Sequence, residues 1–227
     1  MSVSLLDFDV PPYRLSGTVY GTLLNHQAAL AQLGGAVNEP PYKAAPKAPV
    51  LYVKPRNTLA STGDAVVVPD TAGALEVGAA LGVVIGRTAC RVQEQDAFAY
   101  VAGYTVVADF SVPHDSYYRP SVRLKALDGS CVVGPSVTPR ARIPSPDDLD
   151  VGVFVDGKIV HATTTAGMVR NVARLLADVT DFMTLAPGDV LLLGVAAGAP
   201  RVAPGHHVSV EIGPIGRLEN DLVKERP

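Results

Sequence analysis

Cysteine is scarce: Cys90 and Cys131 are the only two in 227 residues. They form no CxxC and no zinc-type spacing, so a disulfide framework and a cysteine metal site are excluded. Both are expected as buried free thiols, which suits a reducing cytoplasm. Runs of like charge are also missing. No block of five or more exists, the net charge is -3 and the pI is near 5.9. That balance argues against nucleic acid or an anionic membrane as partner. Mean hydropathy is high, +0.23, yet no stretch approaches the ~18 uninterrupted apolar residues of a membrane span. The most apolar segment, 190–199, is broken by Gly194 and Gly198. Residues 1–14 lack a basic region and carry Asp7 and Asp9, so no secretory signal is expected and the location expected is cytoplasmic. A Walker loop, GxGxxG after a strand, GxSxG and HExxH are all absent, which removes the commonest nucleotide, esterase and metalloprotease readings.

What is present reads as a folded, turn-rich chain. Apolar residues make up 48%, enough to exclude disorder, and a chain of this size buries roughly 70–75% of its unfolded surface. Gly and Pro together number 21 and 19, pointing to many turns between short strands. Strands are expected at 17–25, 50–54, 65–68, 75–86 and 104–110, Val-rich and bounded by Gly, Pro and Asp. Short helices are expected at 26–33 and just before Gly103, and long loops at 34–49 and 111–123. Asp156-Gly157 between two alternating runs is a type I′ hairpin signal. Met168, Val169, Val172, Leu175, Leu176, Val179 and Phe182 fall on one face of a helix over 165–183. The expected architecture is α+β: a β-rich mixed sheet roll with one long packed helix, residues 17–227 forming a single domain after an N-terminal extension over 1–16.

The chemistry-bearing residues gather in one place. Asp109 ends an apolar strand, and the segment after it carries Tyr117, Tyr118, Arg119, Arg123, Lys125 and Asp128. A strand end followed by a basic, aromatic loop suits the carboxylates of a small acidic substrate. The competing reading is a set of solvated salt bridges to Asp115 and Asp128. His114-Asp115 offers an acid/base pair or plain loop surface, and His206-His207 reads as a solvated turn.

Four motifs in order, GYTVVADF, YYRPSVRLKALDG, TDFMTLAPGDVLLLG and PGHHVSVEIGPIGRLEN, resemble the fumarylacetoacetate hydrolase superfamily, as does LGVVIGRTACRVQEQDAFAYVAGY. The resemblance covers about residues 50–223. With YKAAPKAPVLYVKPRNT it is nearest the amino-terminal half, or small subunit, of the bifunctional decarboxylase/isomerase branch of homoprotocatechuate (4-hydroxyphenylacetate) degradation. The resemblance implies a lyase or isomerase subunit, acting as 5-oxopent-3-ene-1,2,5-tricarboxylate decarboxylase and 2-hydroxyhepta-2,4-diene-1,7-dioate isomerase. The high apolar fraction and Val-rich strands point to exposed apolar patches, so a homodimer, or a heterodimer with a paralogous subunit, is expected. A metal-independent enzyme of the same fold and a non-catalytic paralogue that completes a dimer are the alternatives.

Active members of the superfamily bind Mg²⁺ or Mn²⁺ through an E-x-E strand and the Asp of the GYT strand. E-x-E places both carboxylates on one strand face, and three oxygens plus water suit a hard cation. The Asp matches Asp109, and the family's active-site lysine matches Lys125. The two Glu positions fall on Gly78 and Ala80, so metal binding in this chain is expected to be weak or absent; Glu76, on the same face, is a poor substitute. The family's substrate-holding threonine stretch reads Leu193-Gly194-Val195-Ala196, and its early H-x-x-E reads His26 without the acid. The implied site is Lys125 and Asp109 for catalysis, with Tyr118, Arg119 and Arg123 for substrate. If this register holds, Gly78→Glu with Ala80→Glu should strengthen Mn²⁺ binding at least tenfold, about 1.4 kcal/mol, as measured by calorimetry.

Overall fold

Residues 17–114, 117 and 121–225 are described by the computed structural model. Two eleven-residue strands, Leu75–Ile85 and Val101–Ser111, form its centre. Small and β-branched residues let both strands pack apolar side chains on both faces. They pair antiparallel, with Gly78 opposite Asp109 and Ala80 opposite Val107. The period of two then sorts the side chains. Ala80, Val84 and Val107 join Val190, Leu192 and Cys131 in one apolar cluster. Val77, Leu81, Val83, Tyr104, Val106 and Phe110 face the larger core on the other side.

Among the described residues, this pair belongs to a nine-stranded mixed sheet. Its order runs Val50–Lys54, Val19–Leu23, Val190–Leu192, Leu75–Ile85, Val101–Ser111, Cys131–Val133, Leu59–Ser61. Arg201–Val202 also pairs with Leu75–Ile85, and Thr138–Pro139 with Val101–Ser111. A second sheet holds Lys158–Thr164, Asp150–Val155, His207–Ile212, Gly216–Lys224 and Val66–Val68. The hairpin at Asp156-Gly157 forms as the dipeptide predicts: both residues take positive φ, 50° and 77°, as a type I′ turn requires. No helix among the described residues is long and apolar enough to cross a membrane.

The expected long helix is shorter than its apolar pattern. It spans Val172–Thr180, nine residues. The preceding turn is taken by tertiary hydrogen bonds instead. Val169 N–H donates to the Asn25 carbonyl, Arg170 N–H to Asn25 Oδ1 and Val172 N–H to Asp147 Oδ1. Asn171 caps the helix through Arg174 N–H at 2.8 Å. Val169 and Phe182, assigned to the buried face by periodicity, are 40% and 62% exposed. The segment before Gly103 is a 3₁₀ helix, Glu94–Tyr100, and Gly103 lies inside the following strand rather than ending a helix. Cys131 is buried as expected; Cys90 is exposed, which corrects the expectation for that thiol.

Leu176, fully buried against the core, and Phe182 separate the two helix readings. Leu176→Ala should lower unfolding free energy by roughly 2–5 kcal/mol, and Phe182→Ala should change it by no more than about 0.5 kcal/mol, both measured by urea denaturation.

Candidate active site

The strand Val50–Lys54 alternates against its composition. Val53 is 49% exposed while Lys54 is 1% exposed. Tyr52 and Lys54 share a face by the period of two, and that face looks into the roll. Opposite Tyr52 stands Gly21. A Cβ there would lie 2.0 Å from Tyr52 Cζ, so the phenol ring crosses the neighbouring strand where only glycine leaves room. The Val50–Lys54 and Val101–Ser111 strands are four places apart in the sheet. Tyr52 and Lys54 nevertheless both touch Asp109, which requires the sheet to curl until the two faces meet.

Asp109 is fully buried. Lys54 Nζ stands 2.8 Å from Oδ1 as an ion pair. Lys125 Nζ donates to Oδ2 at 2.9 Å, and the Tyr52 hydroxyl donates to the same oxygen. Lys54 Nζ also donates to the Lys125 carbonyl and, at 3.0 Å, to Ser130 Oγ. Burial pushes the Asp109 carboxyl up, but Lys125 and then Lys54 outweigh it and hold the group well below the usual carboxylate range. Burial, then the Asp109 charge, pushes the Tyr52 phenol far up, so Tyr52 stays protonated as a donor. Burial likewise takes the Cys131 thiol to about 12, which makes it inert near neutrality.

Beside this cluster lies a cavity of about 610 Å³. Asp109, Lys125, Gly78, Glu76, Val195 and Arg201 are among the residues that line it. Asp109 and Lys125 are thus brought together as the sequence suggests. Arg123 is on the exposed side of the short helix Val122–Lys125 and does not line the cavity. Tyr118, Arg119 and Asp115 lie outside the described residues. Glu76 lines the cavity but faces Arg201, at 4.0 Å. His114 lines the cavity with Nδ1 on the Val112 carbonyl at 2.9 Å. His26 does not line it: its ring caps the helix Gln27–Gln32 through Ala28 N–H. Tyr52 and Lys54 are the residues that sequence reasoning missed. Their signal was a tyrosine and a lysine two apart on one face of a strand otherwise apolar.

The described residues do not fit a divalent ion. No group of three or more His, Cys, Asp or Glu converges among the described residues. Asp109 already carries two ammoniums and a phenol. Position 78 has no room for a ligand: a Cβ there would meet the Asp109 carbonyl at 2.8 Å and Val195 Cγ2 at 2.9 Å. Val195, which stands where the family has its threonine stretch, fills the space a glutamate at 78 would need. Ala80 is 1% exposed within an apolar cluster. Adding Gly78→Glu and Ala80→Glu is therefore not enough to restore a metal site, and the gain expected from the sequence is withdrawn.

Comparison with known proteins agrees with the fold. Residues 18–223 match the family described as fumarylacetoacetate (FAA) hydrolase C-terminal. A 4-hydroxyphenylacetate degradation bifunctional isomerase/decarboxylase of Escherichia coli is 36% identical over 212 residues, covering 93% of this chain and 48% of that protein. The chain thus spans about half the length of the curated relatives it matches first. The crystal structure of 5-carboxymethyl-2-hydroxymuconate delta-isomerase from Mycobacterium smegmatis is similar at TM-score 0.80 and 27% identity, covering 94% of this chain and 81% of that one. Maleylpyruvate hydrolase from Sphingobium sp. SYK-6, in complex with manganese(II) and pyruvate, is similar at TM-score 0.77 and 25% identity, covering 92% and 71%.

Asp109→Asn removes the counter-charge of two buried lysines and should destabilise the protein by about 3–5 kcal/mol at neutral pH. Because the folded-state value of Asp109 lies below its unfolded value near 3.9, its contribution is complete above that pH and is lost as pH falls toward the folded value. The gap between wild type and variant should be constant from pH 5 to 7 and narrow below about pH 4, read by chemical denaturation across that range.

Proposed function

The chain belongs to the fumarylacetoacetate hydrolase family, and from that premise we propose that it is one of two homologous units of a 4-hydroxyphenylacetate-degradation isomerase/decarboxylase. Its reactions are decarboxylation of 5-oxopent-3-ene-1,2,5-tricarboxylate and isomerisation of 2-hydroxyhepta-2,4-diene-1,7-dioate. Its metal site is degenerate, and the second unit, a paralogue that keeps both E-x-E carboxylates, carries the metal. One observation supports this reading above the others. The family carboxylate Asp109 is kept but is neutralised by Lys54 and Lys125, while positions 78 and 80 hold glycine and alanine.

Within this unit the chemistry falls to its own side chains. Both substrates carry several carboxylates. Lys125, 9% exposed at its side chain, presents a positive charge on the cavity wall beside Asp109. Tyr52 holds Asp109 Oδ2 and packs its ring 4.6 Å from Lys125 Nζ, which fixes the ammonium in place. A fixed ammonium stabilises negative charge that develops on a bound 2-oxo acid. The apolar segment from Val195 to Ala199 also lines the cavity.

The test is activity of the chain expressed alone and with a paralogue that retains E-x-E, assayed for decarboxylation with Mg²⁺ and with EDTA. The expected result is no turnover alone, turnover for the pair with Mg²⁺, and at least a tenfold loss in the pair when this chain carries Lys125→Met. Turnover by the single chain in EDTA would instead mean a metal-independent enzyme. A pair indifferent to Lys125→Met would mean a purely structural subunit.

A further inference from the structure

The helix Gln27–Gln32 borders the cavity and is weakly held. None of its six residues is fully buried, and a helix so short is marginal unless its ends are fixed. Ala29 and Gln32 on it line the cavity, as do Leu24 before it and Leu33 after it. Leu24 takes a φ of 57°, a left-handed conformation that bulky residues rarely adopt. Asn25 pins the chain at that point: its Nδ2 donates to the Arg170 carbonyl at 3.0 Å and to the Leu193 carbonyl at 2.7 Å. Beyond Asn25 the helix is capped by the imidazole of His26, whose Nδ1 accepts from Ala28 N–H at 3.2 Å. Helix caps are normally hydroxyl, amide or carboxylate oxygens. An imidazole differs from them in taking up a proton near neutrality.

The capping bond requires a neutral ring. Nδ1 must keep its lone pair, so the single proton sits on Nε2. A second proton would make Nδ1 a donor facing the Ala28 N–H, and the cap would be lost. The surroundings offer the charged ring nothing in return. His26 is 7% exposed, its Nε2 is buried without a hydrogen-bond partner, and a Cβ at Gly167 would lie 2.7 Å from that nitrogen. Among the described residues, the titratable group that acts on the ring is His161 of the strand Lys158–Thr164. The Nε2 of His161 is likewise buried and unpartnered. The helix has no acid in its first turn and no base in its last, and residues 165–168 carry no titratable side chain. Arg170 is turned to Asp178 and to the Lys47 carbonyl. Burial lowers the His26 imidazole below its ordinary value; the Thr164 carbonyl opposes this and the charge of His161 adds to it. Burial lowers His161 as well.

We propose that His26 is an acid-released latch on the cavity: the neutral ring caps the helix and holds it in place, and the protonated ring lets go of residues 27–33, which border the cavity. The sign follows from linkage. The held form binds fewer protons than the released form, so release is absent above the ordinary histidine value of 6.5 and grows as pH falls below it. One histidine can favour release by at most about tenfold per pH unit. Asn25 stays fixed by amide and carbonyl groups that do not titrate, so the opening is confined to the segment after it. This device governs access to the cavity and stands whether or not the paired enzyme decarboxylates its substrate.

Amide hydrogen exchange of the full chain, read by mass spectrometry and corrected for the chemical exchange rate at each pH, tests it. Between about pH 7.5 and about pH 5.5 the protection of residues 28–33 should fall at least threefold, while the central strand Val101–Ser111 keeps its protection. His26→Asn supplies a cap that does not titrate, and its protection of 28–33 should be the same at both pH values. Should that variant fail to fold, His26→Ser carries the same comparison. His161→Gln leaves the cap in place and should keep a pH response. Wild-type protection that does not change with pH, or a response that persists without His26, would overturn the latch. So would loss of protection spread equally over Val101–Ser111, which is global opening, or a response abolished by His161→Gln, which would move the switch to the other ring.

Discussion

A carboxylate sealed from water sets the terms for the rest of this molecule. Asp109 is fully buried, and an isolated buried charge is too costly to persist, so its partners must arrive with it. They come from distant parts of the chain: Lys54 from the edge of the sheet, Lys125 from a short helix, Tyr52 from across Gly21. Lys54 also donates to the Lys125 carbonyl and to Ser130, so one ammonium joins the sheet edge, the short helix and the turn after it. The curl of the sheet and the charge of Asp109 are therefore one constraint. Flattening the sheet would strand the carboxylate, and neutralising the carboxylate would remove a reason for the sheet to close.

The departures from the family pattern compensate one another. Removing two carboxylates and a dication together leaves the net charge of a site unchanged, because -2 and +2 cancel. The volumes compensate as well. Gly78 vacates space and Val195 occupies it, its Cγ2 standing 2.9 Å from where a Cβ at 78 would be. Ala80 extends the apolar cluster that includes Val107 and Val190. A single reversion at position 78 is therefore uphill in packing.

The strands at the centre were legible in the sequence because Val-rich runs bounded by turn residues admit few other conformations. Asp156-Gly157 was legible because both residues must take positive φ, which few dipeptides tolerate. The helix was over-extended for a physical reason: periodicity reports which side chains are apolar, but the first turn at 168–171 was claimed by Asn25, a residue about 145 positions away. The site was half legible. Asp109 and Lys125 stand 16 residues apart and lie in two consecutive motifs, so their meeting could be anticipated. Lys54 and Tyr52 could not be placed in the same way. A lysine in a short strand normally points to solvent, and only the curl of the sheet, which no local pattern encodes, turns this one inward.

What an ammonium can and cannot replace explains why two homologous units would divide the work. The Lys125 nitrogen lies 2.9 Å from the oxygen it contacts and carries one charge. A divalent ion carries two and approaches oxygen to about 2.1 Å, so at equal dielectric its field at that oxygen is about fourfold stronger. Ground-state recognition of a carboxylate needs only the weaker field together with correct placement, and a lysine fixed by Asp109 and Tyr52 offers both. Stabilising an enolate as CO₂ leaves demands the stronger one, since charge must be held where it newly develops. A unit with ammoniums in place of a dication would keep the means to hold a carboxylate and would give up most of the means to drive the reaction. The proposed pairing with a metal-bearing homologue follows from that difference in field strength.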